Sequence, residues 1–209
     1  FLRTEQTEFS HIRQKFLVYA LAYPAIGMTL TSDERLIYSL SAGDNMENRL
    51  REIYGNSLEN ALRPVDLEHE GVAISGYVAL PRVSRSDRSD QYIFVNRRPA
   101  SAPVLSYAVR EGYHTLMPSG RHPVLFLFIE LDPALVDVNV HPTKREVRFR
   151  RSNQVRDAVI RAIREALQTP AAQGAEPDGL AAGQSAGELP QRGGLEIEEL
   201  PPTRVFQYP

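Results

Sequence analysis

Residues 136–149 place the tightest constraint on what this chain can fold into. Val136, Val138 and Val140 alternate with Asp137, Asn139 and His141, the period of a half-buried strand. Pro142 ends that strand, because proline offers no N–H to a ladder and fixes its own φ, so the chain must leave the sheet there and expose Thr143 and Lys144. Val147 and Phe149 then alternate with Glu146 and Arg148 in a short second strand. The pattern predicts a lysine on a proline-stiffened bend between two anchored strands, which can present its ammonium at a defined place; a solvated lysine in a hairpin-like connection fits the same residues.

Lys15 and Lys144 are the only lysines among 24 basic residues, so arginine is used almost wherever a positive charge suffices. A compact point charge suits a terminal phosphate where a planar guanidinium fork does not fit. Asn139, His141, Pro142 and Thr143 read as residues that shape the loop around Lys144, with His141 bonding to backbone and Thr143 capping or bonding locally.

The run Asp137-Val138-Asn139-Val140-His141-Pro142-Thr143-Lys144-Arg145-Glu146-Val147-Arg148-Phe149 resembles the signature of the second domain of the MutL family of DNA mismatch repair proteins. Phe1-Leu2-Arg3-Thr4-Glu5, with Glu8-Phe9 and His11-Ile12, is similar to the segment where that family's ATPase domain hands over to this one. Tyr92-Ile93-Phe94-Val95-Asn96-Arg97-Arg98-Pro99 resembles its strand ending in an Asn-x-Arg turn. Together these cover most of residues 1–168.

The resemblance implies a transducer domain with the ribosomal protein S5 domain 2-like fold. Such a domain follows an N-terminal ATPase domain of the type shared with gyrase-like topoisomerases, heat-shock chaperones and histidine kinases. It implies that Lys144 reaches the γ-phosphate of ATP bound in that neighbour. ATP and Mg²⁺ would be held mainly by the neighbour, whose water-activating acid, Mg²⁺-holding asparagine and glycine-rich lid have no counterpart in this chain. No activity is then expected of the chain alone, which would be part of an ATPase in the intact protein. The implied partners are its own N-terminal ATPase domain, DNA bound largely without regard to sequence, other mismatch repair proteins and a second copy in the intact homodimer.

Taken in order, residues 4–23 read as a helix, with Phe9, Ile12, Phe16, Leu17, Ala20 and Leu21 at helical spacing and Pro24 as its stop. Residues 25–32 and 35–40 read as strands joined by a tight turn, and 45–54 as a helix closed by Gly55 and Asn56. Residues 64–70 and 72–80 read as a hairpin with a slip of register near Gly76, and 81–90 as an exposed polar loop. Next come a strand over 91–96, a helix over 104–117 with Leu105, Ala108, Val109 and Leu116 inward, and the very apolar strand 122–131. Ser152–Gln168 is an amphipathic helix with Val155, Val159, Ile163 and Leu167 as its buried stripe. This is an α+β chain of about seven strands and three or four helices. The resemblance adds a mixed sheet with helices on one face and a left-handed βαβ crossover between 91–96 and 122–131, against the usual preference.

From Thr169 to Gly194 Ala, Gly, Gln and Pro dominate and there is little to bury, which reads as linker. Residues 195–209 are apolar and acidic, and a partner-binding motif, a docked tail and an added strand all remain open readings. Residues 169–209 carry net charge −4 and residues 1–168 net +2. With no cysteine, disulfides and thiolate metal sites are excluded. No run is apolar enough to span a bilayer and no signal peptide is present, so no membrane partner is expected and the expected compartment is the cytoplasm, nucleoid-associated in a bacterium.

The five histidines are scattered without metal-ligand spacing, and neither a phosphate-binding Gly-x-x-x-x-Gly-Lys loop nor a nucleophile elbow occurs. Arg97, Arg98 and Arg110 head a set of arginines suited to meeting DNA phosphates without reading bases. The set also takes in Arg82, Arg85, Arg88, Arg145, Arg148, Arg150 and Arg151. Two other classes compete: a free-standing S5-like nucleic-acid-binding module, and a small-molecule kinase of the same fold, which would need a glycine- and serine-rich phosphate loop.

Overall fold

A computed structural model describes residues 5–43, 45–137 and 147–168. The first helix, α1 (Glu5–Ala22), stops just before Pro24 and leads into a hairpin of β1 (Met28–Ser32) and β2 (Arg35–Leu40). Asp33 and Glu34 turn this hairpin with φ of 49° and 62°. Positive φ at both positions is the turn whose twist matches the flanking strands. The helix α2 (Met46–Tyr54) begins where the Asn45 side chain accepts from the amides of Glu47 and Asn48, and ends at Gly55 with φ 57°.

The central sheet has the order β3-β4-β7-β5-β6, formed by Leu62–His69, Val72–Ala79, Leu125–Leu131, Gln91–Val95 and Arg98–Pro99 respectively. Its neighbours pair antiparallel except β5 and β7, which run parallel, so the sheet is mixed. Parallel neighbours need a crossover, and α3 (Pro103–Gly112) lies in the connection between them. The strand expected to be the most buried, β7, is central: Leu125, Phe126, Leu127 and Ile129 are all fully buried. Two residues each from β8 (Val136–Asp137) and β9 (Arg148–Phe149) form a separate pair, and α4 (Ser152–Gln168) comes after them.

One core lies between α3, α4 and the face of the sheet that presents Ile74, Leu127 and Ile129. A second joins Leu17 and Leu21 of α1 and Leu50 of α2 to Tyr92, Phe94 and Phe126. Helices therefore cover both faces of the sheet, not one. The reason is visible in β5 and β7, which are apolar at successive positions and would expose Tyr92, Phe94 and Phe126 if one face stayed bare. The expected single sheet of about seven strands is five strands plus two detached pairs, because the β1–β2 hairpin attaches through α1 and α2 and not through a ladder.

Three local expectations change. The register of β4 runs unbroken through Gly76 against both β3 and β7, so there is no bulge. Instead Gly76 has φ 123°, and a Cβ there would sit 2.0 Å from the Phe126 carbonyl oxygen. Only a residue without a side chain permits that approach. Residues 81–90 are not a bare loop: Pro81–Val83 is a 3₁₀ turn, Arg85 bridges to His122, and Asp90 accepts from Arg85 Nε (2.8 Å) and Tyr54 OH (3.0 Å). The helix α3 ends at Gly112, which leaves Leu116 half-exposed, and on α1 Ile12 likewise faces outward.

Candidate nucleotide-facing loop and its supports

Asn139, His141, Pro142, Thr143 and Lys144 lie outside the described residues. The two feet of their loop are described, and both are fastened. Val136 pairs with Phe149 and Asp137 with Arg148. Val147 and Phe149 are buried in the α3–α4 core, with Leu135 and Val136 packed against it. Backbone bonds add to this: Val147 N donates to Ser101 O (3.1 Å) and Arg150 N to Leu135 O (2.9 Å). On the entering side Asp132 accepts from the amide of Ala134 at 2.8 Å, which caps the turn Pro133–Leu135. The burial has its origin in the sequence, since Val147 and Phe149 are the apolar members of the alternating run.

The β8–β9 pair is held on two sides. The backbone bond from Val147 to Ser101 ties that pair to the segment leading into α3, and the burial of Phe149 ties it to α4.

Arg97 lies in the turn from β5 into β6, where Asn96 and Arg97 have φ of 46° and 66°, and Arg98 opens β6 opposite Val95. Asn96 fixes this turn twice: its amide donates to Ile129 O (2.9 Å) and its side-chain Oδ1 accepts from Leu131 N (3.0 Å). The carboxamide thus continues the β5–β7 ladder one step past the last strand residue, a function that asparagine serves and alanine cannot. Both arginines after it are exposed. Arg110 is exposed on α3, its guanidinium 5.5 Å from the centre of the Tyr107 ring. It belongs to a different element from Arg97 and Arg98. Two arginines of the wider set are engaged by the protein: Arg82 donates to Asn60 O at 2.8 Å, and Arg85 pairs with Asp90 at 2.8 Å. Among the described residues no cluster of His, Cys, Asp or Glu could hold a metal ion.

Sequence reasoning missed Arg49. It is 2% exposed, and its Nη2 converges on the carbonyl oxygens of Pro24 (2.6 Å), Ile26 (2.8 Å) and Ser41 (2.9 Å), with Glu52 3.8 Å from Nη1. Glu52 also accepts from the amide of Ser41 at 3.0 Å. Together they clamp both ends of the β1–β2 hairpin to α2. An arginine on a helix gives no sequence signal of such burial. A second missed group is Tyr54 and Tyr92, whose rings flank Phe126 at 5.5 and 5.7 Å. Burial, with the Asp90 charge nearby, raises both phenols above the ordinary tyrosine range, Tyr92 to about 12. Burial likewise raises Tyr113, whose hydroxyl donates to Ala79 O at 2.7 Å.

Residues 50–168 match the family model described as DNA mismatch repair protein, C-terminal domain. The chain is 41% identical over 168 residues to the DNA mismatch repair protein MutL of Opitutus terrae, covering 80% of this chain and 27% of that protein. It is 45% identical over 171 residues to MutL of Chromohalobacter salexigens, covering 80% and 26%. With MutL of Pseudomonas entomophila the identity is 40% over 206 residues, covering 97% and 32%. The chain thus spans about a quarter to a third of the length of these relatives. In fold it is similar to a solved N-terminal domain of a DNA repair protein, with TM-score 0.66, 24% identity and coverage of 78% of this chain and 54% of that one. It is also similar to the Aquifex aeolicus MutL ATPase domain complexed with ADP, with TM-score 0.50, 21% identity and coverage of 76% and 50%. These neighbours fit the α+β S5-like architecture. No described helix is long and apolar enough to cross a membrane. The alternating run, the Asn-x-Arg turn and the mixed sheet between two helical layers agree with these matches: the chain belongs to the MutL family of DNA mismatch repair proteins.

Proposed function

We propose that residues 1–168 act as the transducer domain of a longer MutL-type protein, in which Lys144 delivers its ammonium to the γ-phosphate of ATP held with Mg²⁺ by an N-terminal ATPase domain. The observation that carries this reading is the pair of fastened feet, β8 and β9, on either side of the Lys144 loop. An ammonium placed there favours the closed, ATP-bound arrangement and helps to neutralise charge as the bond to the γ-phosphate breaks. After hydrolysis the partner charge is gone, so the same contact reports nucleotide state to the sheet. This chain supplies no water-activating acid and does not turn over ATP by itself.

In this reading Asn139, His141, Pro142 and Thr143 shape the loop, while Arg97 and Arg98 on their rigid turn, with Arg110, contact DNA phosphates. Residues 169–194 are the linker, and 195–209 a tail that docks or binds a partner. The intact protein is a homodimer that works with other mismatch repair proteins. The experiment is Lys144→Ala in the intact protein. ATP turnover is expected to fall about a hundredfold, the size associated with removing one preorganised charge-stabilising donor. An unchanged rate sinks the assignment.

A further inference from the structure

The Asn96 side chain stands where two segments of the site meet. β5 leaves the sheet here, because φ of 46° and 66° at Asn96 and Arg97 turns the chain into β6. Its parallel neighbour β7 runs on past Ile129, the residue opposite Val95, and ends at Leu131. The amide of that last residue donates to Asn96 Oδ1 at 3.0 Å. One carboxamide therefore serves both the turn that carries Arg97 and the end of the central strand.

From Leu131 the path to β8 is short and bonded at each step. Asp132 Oδ1 accepts from the amide of Ala134 at 2.8 Å, and Asp132 O accepts from that of Leu135 at 2.9 Å. Pro133 between them fixes its own φ. Leu135 O then accepts from the amide of Arg150 at 2.9 Å, just past β9, and Val136 pairs with Phe149. Leu131, Val147 and Phe149 are buried in one core, with Leu135 and Val136 packed against it. A close-packed interior transmits displacement instead of absorbing it, so a shift of the Leu131 amide reaches β8.

Three properties of residue 96 are used at once. It adopts a positive φ, which asparagine and aspartate tolerate better than other side-chain-bearing residues. It carries an oxygen acceptor, and it carries it on a short stem. Glycine keeps only the first property, whereas aspartate keeps all three.

We propose that Asn96 is a positioning residue shared by the arginine-bearing turn and the β8–β9 pair, so that a DNA phosphate held at the turn and the seating of β8 influence one another. What the two segments contact rests on the proposed function; the joint between them rests on the bonds of Asn96 and Asp132. Asn96 acts through the Leu131 amide and through its own backbone, not by touching a ligand.

The test compares Asn96→Gly and Asn96→Asp with the wild type in the intact protein. Hydrogen exchange over residues 131–137 is followed by mass spectrometry with and without saturating duplex DNA. Saturation offsets the weaker affinity that an added carboxylate brings. DNA should slow this exchange at least about threefold in the wild type and in Asn96→Asp, and by less than about 1.5-fold in Asn96→Gly. Turnover at saturating ATP should fall about tenfold in Asn96→Gly with KM unchanged, and return to within about twofold of the wild type in Asn96→Asp, because placement and not nucleotide binding is altered. Equal DNA-dependent slowing in a folded Asn96→Gly overturns the proposal. So does a wild type that binds DNA with no slowing over 131–137. Should Asn96→Gly fail to fold, Asp132→Ala removes the cap of the following turn and leaves Asn96 in place; it should also lose the slowing, and keeping it overturns the proposal. DNA affinity that is unchanged by Arg97→Glu with Arg98→Glu counts against the DNA contact of the proposed function, whereas bound DNA without slowed exchange counts against Asn96 alone, so the two failures are separable.

Discussion

Replacing Gly76 by alanine is the sharpest test of how the sheet is built. Two costs combine. The φ of 123° belongs to a region that side-chain-bearing residues rarely adopt, and holding a residue in such a region costs about 1–3 kcal/mol. The new Cβ would also meet the Phe126 carbonyl oxygen at 2.0 Å, with a Phe128 ring carbon at 3.3 Å. A carbonyl fixed in the β4–β7 ladder cannot swing aside like a side-chain tip, so the strands must separate locally, at a further cost of about 1–3 kcal/mol. The sum is about 2–6 kcal/mol, a large part of the roughly 5–15 kcal/mol of a typical domain. Urea unfolding followed by tyrosine fluorescence should show a midpoint lowered by about 2 M for a slope of about 2 kcal/mol/M. Two controls separate the costs. Gly71 has φ 75° but nothing within 4 Å of its Cβ position, so Gly71→Ala should lose only about 1 kcal/mol. Gly43 has open space and no positive φ, and alanine there should change stability by less than about 0.5 kcal/mol. If Gly76→Ala came within about 1 kcal/mol of Gly71→Ala, the close β4–β7 approach would be refuted.

Arg49→Met should destabilise the chain by about 3 kcal/mol, because three carbonyls and Glu52 lose their shared donor, and hydrogen exchange should quicken over residues 24–43 while β4 and β7 stay protected. Tyr54, Tyr92 and Tyr113 all have their phenols raised in the folded state, Tyr92 to about 12. The folded chain therefore holds these protons longer than the unfolded one. The associated stability is fully present below about pH 10 and falls above it, by up to about 1.4 kcal/mol per pH unit for each tyrosine, which urea unfolding between about pH 8 and 11.5 would register. Tyr54→Phe should make that fall shallower; an identical pH profile would count against the burial argument. Arg97→Glu with Arg98→Glu in the intact protein should weaken DNA binding at least about tenfold at low salt and flatten its salt dependence, whereas Arg161→Glu, whose arginine already pairs with Glu165 at 2.6 Å, should do little.

Periodicity disclosed the elements better than their burial. The stripe Val155, Val159 and Ile163 and the centrality of β7 could be read because one-sided and two-sided apolar patterns differ plainly in those segments. On α1 the apolar residues run round the helix, so periodicity could not say which were core: Leu17 is buried, whereas Ile12 is not. Gly76 was legible as special but not for the right reason, since a bulge and a close backbone approach leave the same lone glycine in a strand. Asn96 could be found through the Asn-x-Arg resemblance, yet its bond to the Leu131 amide depends on a strand 35 residues away. Arg49 was illegible for the same reason, because its three acceptors lie on loops that only the fold brings together. The supports of the candidate loop, Val147 and Phe149, were visible in alternation alone.

The most direct measurement of the lysine's place uses an ATP analogue carrying an acyl group on its γ-phosphate. A lysine ε-amine beside that phosphate attacks the acyl carbonyl, forms an amide and releases ATP. In the intact protein, peptide mass spectrometry should find the acyl group on Lys144 and not on Lys15, the only other lysine of this chain, and excess ATP should abolish the labelling. Acylation confined to lysines outside this chain, with Lys144 untouched under saturating analogue, would contradict the account.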